Sequence, residues 1–199
     1  MNGRYAGALA ASMLALSIGT AWAGADWPSF GNDAGGSQYS PLDQITPANA
    51  PKLKVAWMHK SGDVREGLMA EGGTSLQVTP IHVNNTLYYC TPLNRVIALD
   101  PATGAEKWVF DPHEGVIDKP RRDGNCRGVA YWEAAAPEAG QACQKRIFRG
   151  DGNGFLYAID ADTGKACADF GAEKGHPGYA SHHDYPSYGD GFSGGMSSP

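Results

Sequence analysis

The chain has 199 residues, a formal net charge of −5 at pH 7 and 42% hydrophobic residues. The acidic balance argues against a general nucleic-acid-binding protein, which would carry a basic surface. The 27 glycines and 13 prolines predict many turns, but not at the level typical of disorder, and the apolar content is sufficient for a core.

The N-terminus carries the pattern of an export signal. Arg4 supplies a positive charge, an apolar run extends from about Ala6 to Ile18, and Ala21-Trp22-Ala23 matches a cleavage site. We therefore expect residues 1–23 to be a signal peptide and residues 24–199 to form the exported, periplasmic protein. An uncleaved membrane anchor is the alternative, and the short apolar run argues against it.

The first predicted strands form one antiparallel unit. Residues 24–51 are predicted to form an irregular leader. Lys52–Lys60 is predicted to be a half-buried strand, because apolar and polar residues alternate in it. Four short strands with tight turns, an antiparallel meander, are then predicted within residues 74–110. Their bounds are Thr74–Val83, Thr86–Cys90, Arg95–Asp100 and Glu106–Phe110.

A second set of four strands follows. It is predicted at Arg127–Glu133, Arg146–Arg149, Phe155–Asp160 and Cys167–Phe170. The Asp-Gly-Asn-Gly stretch at 151–154 predicts a hairpin turn. No periodicity is visible from Gly171 to Gly195, so no further strand is predicted there.

Four cysteines accompany these strands, at Cys90, Cys126, Cys143 and Cys167. Export would place them in an oxidising compartment, where they can pair. No C-x-x-C spacing is present, which weakens a zinc or redox interpretation. Structural disulfides or buried free thiols are favoured, and the sequence does not choose among the three pairings that four cysteines allow.

One turn signature occurs twice, with an offset of 60 residues between the copies. Its members are Ala98, Asp100, Thr103 and Gly104 in the first copy, and Ala158, Asp160, Thr163 and Gly164 in the second. An Asp that ends a strand can accept hydrogen bonds from nearby backbone N–H groups, and Gly allows a positive φ. Four-stranded units with a recurring signature indicate a propeller or a solenoid.

Trp108 follows the first copy on the outermost predicted strand. Its large face can pack between adjacent sheets. Ala168 stands where the second copy would carry the equivalent tryptophan, so that contact is expected to be missing or supplied by Phe170.

The pattern A-x-D-x-x-T-G-x-x-x-W resembles the tryptophan-docking repeat of the pyrroloquinoline quinone (PQQ) dehydrogenases. Trp27-Pro28, the stretch Gly35–Leu42 and Cys126-Arg127-Gly128-Val129 also resemble that family, and the glucose/quinate-type branch is the most similar. The resemblance implies an all-β fold, an eight-bladed β-propeller of four-stranded antiparallel blades. About two blades would be present here.

The resemblance also implies a function. PQQ and a calcium ion would lie in the central funnel, and the enzyme would oxidise a CH–OH group of an alcohol, sugar or polyol. Electrons would pass to a respiratory quinone or cytochrome. The calcium ligands, the catalytic Asp and the remaining blades are expected downstream of Pro199, so the 199-residue piece would be inactive alone and no residue in it is assigned to catalysis or metal binding.

Four residues are candidates for binding PQQ by this resemblance. Arg127 would contact a PQQ carboxylate, and the alternative is a strand Arg that faces solvent. Ser197, or otherwise Ser198, would place a hydroxyl on PQQ, with turn capping as the alternative. Gln77 stands where many relatives have Glu. It keeps the shape and hydrogen-bonding capacity of Glu but cannot carry its negative charge, and a plain strand residue is the alternative.

Two other hypotheses remain at this level. The chain could belong to an exported propeller that serves as a non-enzymatic scaffold for protein contacts, although a scaffold would not need Arg127. It could also be a self-standing small β domain, which clean two-state unfolding of residues 24–199 would support.

Overall fold

A computed structural model of the chain describes residues 26–63, 73–113, 125–152 and 154–184. Its regular structure is two four-stranded antiparallel sheets and one short parallel strand pair. The described residues also contain single-turn 3₁₀ segments at Ala50–Lys52, Ala172–Lys174 and His182–Asp184. Within these residues, no helix has the length and apolar character needed to cross a bilayer.

The first sheet follows a short strand, β1 (Ser75–Leu76), and confirms the predicted meander. It contains, in spatial order, β2 (Ile81–Val83), β3 (Thr86–Cys90), β4 (Val96–Leu99) and β5 (Glu106–Phe110). Asn84 and Asn85 have φ angles of 50° and 55°, as a two-residue type I′ turn requires. The predicted strand Thr74–Val83 is divided into β1 and β2, and Pro80, which has no N–H to donate, lies in the gap.

The second sheet has the same order. After β6 (Asn125–Cys126) it contains β7 (Ala130–Glu133), β8 (Lys145–Gly150), β9 (Phe155–Asp160) and β10 (Tyr179–Ser181). The prediction of a strand at Cys167–Phe170 is wrong. Ala166 makes a single bridge to Ile159, and the chain then leaves the sheet. It returns at Gly178, whose carbonyl accepts a 3.0 Å hydrogen bond from the Ala158 N–H.

The predicted strand Lys52–Lys60 is also wrong, because this segment pairs with no strand among the described residues. Leu53 and Val55 are 61% and 80% exposed. Only Trp57 and His59 of the segment are partly buried, and both contact the first sheet. The packed part of the segment is therefore limited to Trp57 and His59, and the apolar alternation before them does not mark a strand.

The two sheets share one apolar core. Side chains of both sheets form a single cluster of buried residues, with Ile81, Tyr88 and Val96 from the first sheet and Ile147, Tyr157 and Ile159 from the second. There are two disulfides among the described residues. Cys90–Cys126 lies in this core and joins β3 to β6, and Cys143–Cys167 joins the residues just before β8 to those after β9. The structure thus selects one of the three pairings that the sequence left open.

The sheets have two ends, which we call upper and lower. At the upper end β2 and β7 begin, β8 ends, and the turn at 91–95 lies there. At the lower end lie the turns at 84–85, 100–104 and 160–164.

Candidate functional site

At the lower end, a tryptophan of the first sheet packs against a turn of the second sheet. The Trp108 indole Nε1–H donates a 3.0 Å hydrogen bond to the carbonyl of Ala161. A Cβ on Gly164 would lie 2.7 Å from the Trp108 ring, closer than carbon atoms approach without strain. Trp108 therefore docks on the bare backbone of the neighbouring sheet, as the sequence predicted.

Trp57 makes the same contact one unit earlier. Its Nε1–H donates a 3.1 Å hydrogen bond to the Pro101 carbonyl, and a Cβ on Gly104 would lie 2.5 Å from its ring. Pro101 and Gly104 are the repeat equivalents of Ala161 and Gly164. Trp57 thus takes, against the first sheet, the place that Trp108 takes against the second.

Both docking turns are closed by an aspartate. Asp100 Oδ1 accepts hydrogen bonds of 2.8 and 2.9 Å from the N–H and Oγ1 of Thr103. Asp160 Oδ1 accepts the equivalent bonds from Thr163 at 2.8 and 2.7 Å. The following glycines have φ angles of 72° and 73°. The repeated signature therefore encodes one turn geometry, and a tryptophan docks on the glycine of each turn.

The upper end brings two of the predicted cofactor residues together. β1 and β6 pair in parallel with Ser75 opposite Asn125 and Leu76 opposite Cys126. Gln77 and Arg127 are the next residues along the two strands. The carbonyl of Arg127 accepts a 3.1 Å hydrogen bond from the Thr79 N–H, which extends the contact by one step.

Arg127 and Gln77 both have exposed side chains. The Arg127 guanidinium makes no hydrogen bond or ion pair in the part of the chain that the structure describes. Gln77 Nε2 donates to Ser75 Oγ at 3.2 Å. An exposed guanidinium with an open fork fits a carboxylate ligand. The other two candidates, Ser197 and Ser198, lie outside the described residues.

A partly buried ion pair fixes the chain next to this end. Arg95 Nη2 and Nε donate to the two Asp63 carboxylate oxygens at 2.5 and 3.0 Å, and Nη2 also contacts the Ser61 carbonyl. These hydrogen bonds to Asp63 raise the pKa of the Arg95 guanidinium, although burial opposes the shift. The pair attaches residues 61–63 to the start of β4.

A second polar cluster lies between the turns of the two sheets, and the sequence analysis did not single it out. Arg149, at the end of β8, donates from Nη2 to Asn94 Oδ1 in the first sheet at 2.5 Å. The two residues are 4% and 3% exposed. Asp151 lies nearby and accepts from the Phe155 N–H at 2.9 Å and the Tyr157 hydroxyl at 3.1 Å.

The sequence does carry a signal for the burial of Arg149. Residues two apart on a strand share a face, and Ile147 on the same face is fully buried. Burial lowers the pKa of the Arg149 guanidinium to about 10, and the negative charge of Asp151 opposes that shift.

One group of side chains at the second disulfide has metal-ligand spacing. Ligand atoms of Cys143, Cys167 and Asp169 lie within 4.8 Å of one another. The two sulfurs are bonded to each other, so they are not thiolates and this group is not a metal site.

Phe170 is the residue expected to supply the docking contact where Ala168 replaces tryptophan. Its ring packs on Phe148 of β8 with a centroid distance of 5.5 Å, so this contact is made to the second sheet itself.

Comparison with known proteins places this geometry in context. The family model "PQQ: Glucose/ethanol/alcohol dehydrogenase, beta-propeller domain" matches residues 27–176. Quinoprotein glucose dehydrogenase A of Acinetobacter calcoaceticus is 41% identical over 157 residues, which are 73% of this chain and 19% of that protein. The quinate/shikimate dehydrogenase (quinone) of Acinetobacter baylyi is 36% identical over 161 residues, with 73% and 19% covered.

A solved structure of a quinoprotein dehydrogenase also matches the chain. The quinohemoprotein alcohol dehydrogenase from Comamonas testosteroni superposes with a TM-score of 0.53 and 30% sequence identity, over 71% of this chain and 18% of that one. The chain thus spans about a fifth of the length of the relatives it matches. Two four-stranded sheets that dock through tryptophan fit a partial propeller.

Proposed function

The chain belongs to the family of PQQ-dependent glucose/ethanol/alcohol dehydrogenase β-propellers, and we propose that it supplies two blades of an enzyme that oxidises a CH–OH group of an alcohol, sugar or polyol. The observation that carries the proposal is the Arg127 guanidinium at the upper end, which is exposed, lies beside Gln77 and has no ion-pair partner among the described residues. Both residues lie within the stretch that matches the family.

PQQ supplies the redox chemistry, since it is an o-quinone with three carboxylates that takes up two electrons and two protons, with calcium as the ion we propose beside it. Arg127 would hold one carboxylate through its guanidinium fork. Gln77 would donate or accept one hydrogen bond. As an amide it cannot take up the substrate proton, so Gln77 would not serve as the general base. Ser197 or Ser198 would add a hydroxyl contact.

Other parts of the proposal concern location and partners. Two disulfides favour an oxidising compartment, which supports export to the periplasm behind the signal peptide 1–23. N-terminal sequencing of the exported protein should then begin at Gly24. The electron acceptor would be a quinone or a cytochrome, and the name of the Acinetobacter baylyi relative specifies a quinone.

The proposal also requires further blades. Three apolar side chains beside Trp57, on the segment that precedes the first sheet, are strongly exposed: Leu53, Val55 and Met58 at 61%, 80% and 76%. An apolar patch of this kind marks a surface that another element covers. Because Trp57 docks as Trp108 does, we propose that another blade of the same propeller covers these exposed apolar side chains.

The test compares two substitutions that each remove one exposed positive charge. Arg127→Gln acts at the upper end, and Lys165→Gln acts at the lower end, where Lys165 is also exposed. In the protein made from its whole reading frame, Arg127→Gln should weaken PQQ binding about 10- to 100-fold, the loss typical of a charge-assisted hydrogen bond. Lys165→Gln should leave PQQ binding unchanged.

Two results would count against the proposal at different levels. Equal PQQ affinity in both variants would remove Arg127 from the site. If the unsubstituted protein, loaded with PQQ and calcium, reduced no dye with any alcohol, sugar or cyclic polyol, the proposed activity itself would be wrong.

A further inference from the structure

The contact between Arg149 and Asn94 leaves two buried nitrogen atoms without a partner. In the described part of the chain, three buried side-chain atoms have no hydrogen-bond partner: Asn94 Nδ2, His113 Nε2 and Arg149 Nε. Two of the three belong to residues that touch each other at 2.5 Å. Such orphaned atoms are rare in folded proteins, because each costs the free energy of desolvation that a partner would restore.

The orientation of the amide follows from chemistry. Arginine has donors only, so the Asn94 atom that faces Arg149 Nη2 is the carbonyl oxygen. The amide NH₂ is then the open group. The open atom of Arg149, Nε, also carries a hydrogen. Whatever completes this contact must therefore accept hydrogen bonds from both sides.

The charge of the cluster favours an anion as that acceptor. Among the described residues, no carboxylate forms an ion pair with the Arg149 guanidinium within 4.0 Å. The charge of Asp151 acts on Arg149, but the two Asp151 oxygens already accept from the Phe155 N–H and the Tyr157 hydroxyl. A buried cation is costly without a paired anion. A water molecule in the same place would have to find acceptors for its own two hydrogens, whereas an anion needs none.

We propose that the buried junction of Asn94 and Arg149 is a binding site for a small monoanion, held between the open N–H groups of Arg149 Nε and Asn94 Nδ2. The anion is either a halide or formate-sized carboxylate from solution or a carboxylate side chain of the same protein. It ties the 91–95 turn of the first sheet to the end of β8 in the second. The proposal rests on buried atoms, whereas Arg127 is exposed, and it does not depend on the proposed PQQ chemistry.

The first test is crystallographic. Crystals of the PQQ-free protein, made from its whole reading frame, are soaked in sodium bromide and measured at the bromine edge. A bromide peak within hydrogen-bond distance of both open nitrogens supports an anion from solution. A carboxylate oxygen of the chain at that place supports the internal source. A water molecule, or no density, overturns the proposal.

The second test is in solution and uses Asn94→Asp. This substitution places a carboxylate beside Arg149 at a residue whose φ of 68° suits Asp as well as Asn. Asn85→Asp, at an exposed residue with a φ of 55°, is the matched control. The melting temperature is measured in sodium chloride or formate against sodium gluconate, whose anion is larger, at equal ionic strength.

For an anion from solution, chloride and formate should raise the melting temperature of the unsubstituted protein and of the Asn85→Asp variant by a few degrees. The Asn94→Asp variant should not respond. For an internal carboxylate, neither anion should act, and Asn94→Asp should lower the melting temperature through repulsion between two carboxylates. If Asn94→Asp and Asn85→Asp behave alike in every salt, the proposal is wrong.

Discussion

Replacing Gly164 by alanine tests whether tryptophan docking holds the two sheets together. Gly164 has a φ of 73°, and a non-glycine residue in the left-handed region costs about 1–2 kcal/mol. The new methyl group would also lie 2.7 Å from the Trp108 ring. Such overpacking costs about 1–3 kcal/mol, and a displaced indole would lose its hydrogen bond to Ala161, worth about 1 kcal/mol. We expect Gly164→Ala to lower the free energy of unfolding by about 3–6 kcal/mol.

The control is Gly175→Ala. Gly175 has a φ of 78°, and a Cβ there would meet nothing within 4 Å. It therefore bears only the backbone cost, about 1–2 kcal/mol. Urea denaturation followed by circular dichroism measures both variants, with a check that the slope against urea is unchanged.

A double substitution isolates the contact itself. In a Trp108→Leu background the indole is absent, so the cost of Gly164→Ala should fall to that of Gly175→Ala. The docking argument would be refuted if Gly164→Ala were no more destabilising than Gly175→Ala, or if its cost were the same with and without the indole.

Two further predictions concern the disulfides and the second docking turn. The bonds Cys90–Cys126 and Cys143–Cys167 close loops of 36 and 24 residues, so replacing either pair by serines should cost about 3–4 kcal/mol on loop entropy; a reduced, alkylated protein with an unchanged urea midpoint would contradict this. Burial raises the pKa of Asp160, but hydrogen bonds from Cys143 and Thr163 outweigh it and lower the pKa below 3.8. Stability from Asp160 is therefore present above its unfolded-state pKa and is lost as the pH falls through the lower folded-state pKa. Asp160→Asn should flatten the loss of unfolding free energy between pH 5 and pH 2, which urea titrations measure, and the exposed Asp162→Asn should not.

Local chemistry explains what could be predicted of the fold. An Asp that ends a strand, a Gly three to four residues later and the Asn84-Asn85 pair each select a backbone turn within a few residues, and all of these turns are present. The position of Trp108 relative to the turn also predicted its docking, because the repeat fixes both partners of that contact.

Contacts between distant residues explain the errors. In Lys52–Lys60 only Trp57 and His59 are partly buried, and no property of the segment reveals whether a strand lies beside it. Cys167–Phe170 has strand-like composition, but Cys167 is bonded to Cys143 and the edge of β9 is occupied by a strand that begins at Tyr179. Strand pairing and disulfide pairing are decided by the tertiary arrangement, which short sequence patterns do not encode.

Tertiary contacts also distinguish two arginines that have similar sequence surroundings. Arg127 and Arg149 both lie in or beside short strands of the second unit, each next to a glycine. Arg127 lies where the parallel pair of β1 and β6 ends, with an exposed side chain that pairs with no carboxylate in the described ranges. Such a group stays hydrated when the protein folds, and its N–H donors remain available to a carboxylate of a ligand. Arg149 is covered by the Asn94 turn of the neighbouring sheet, so its desolvation has already occurred on folding. A large ligand can reach a guanidinium only in the exposed environment of Arg127, whereas the buried Arg149 already carries a desolvation cost that a small partner of opposite charge would offset.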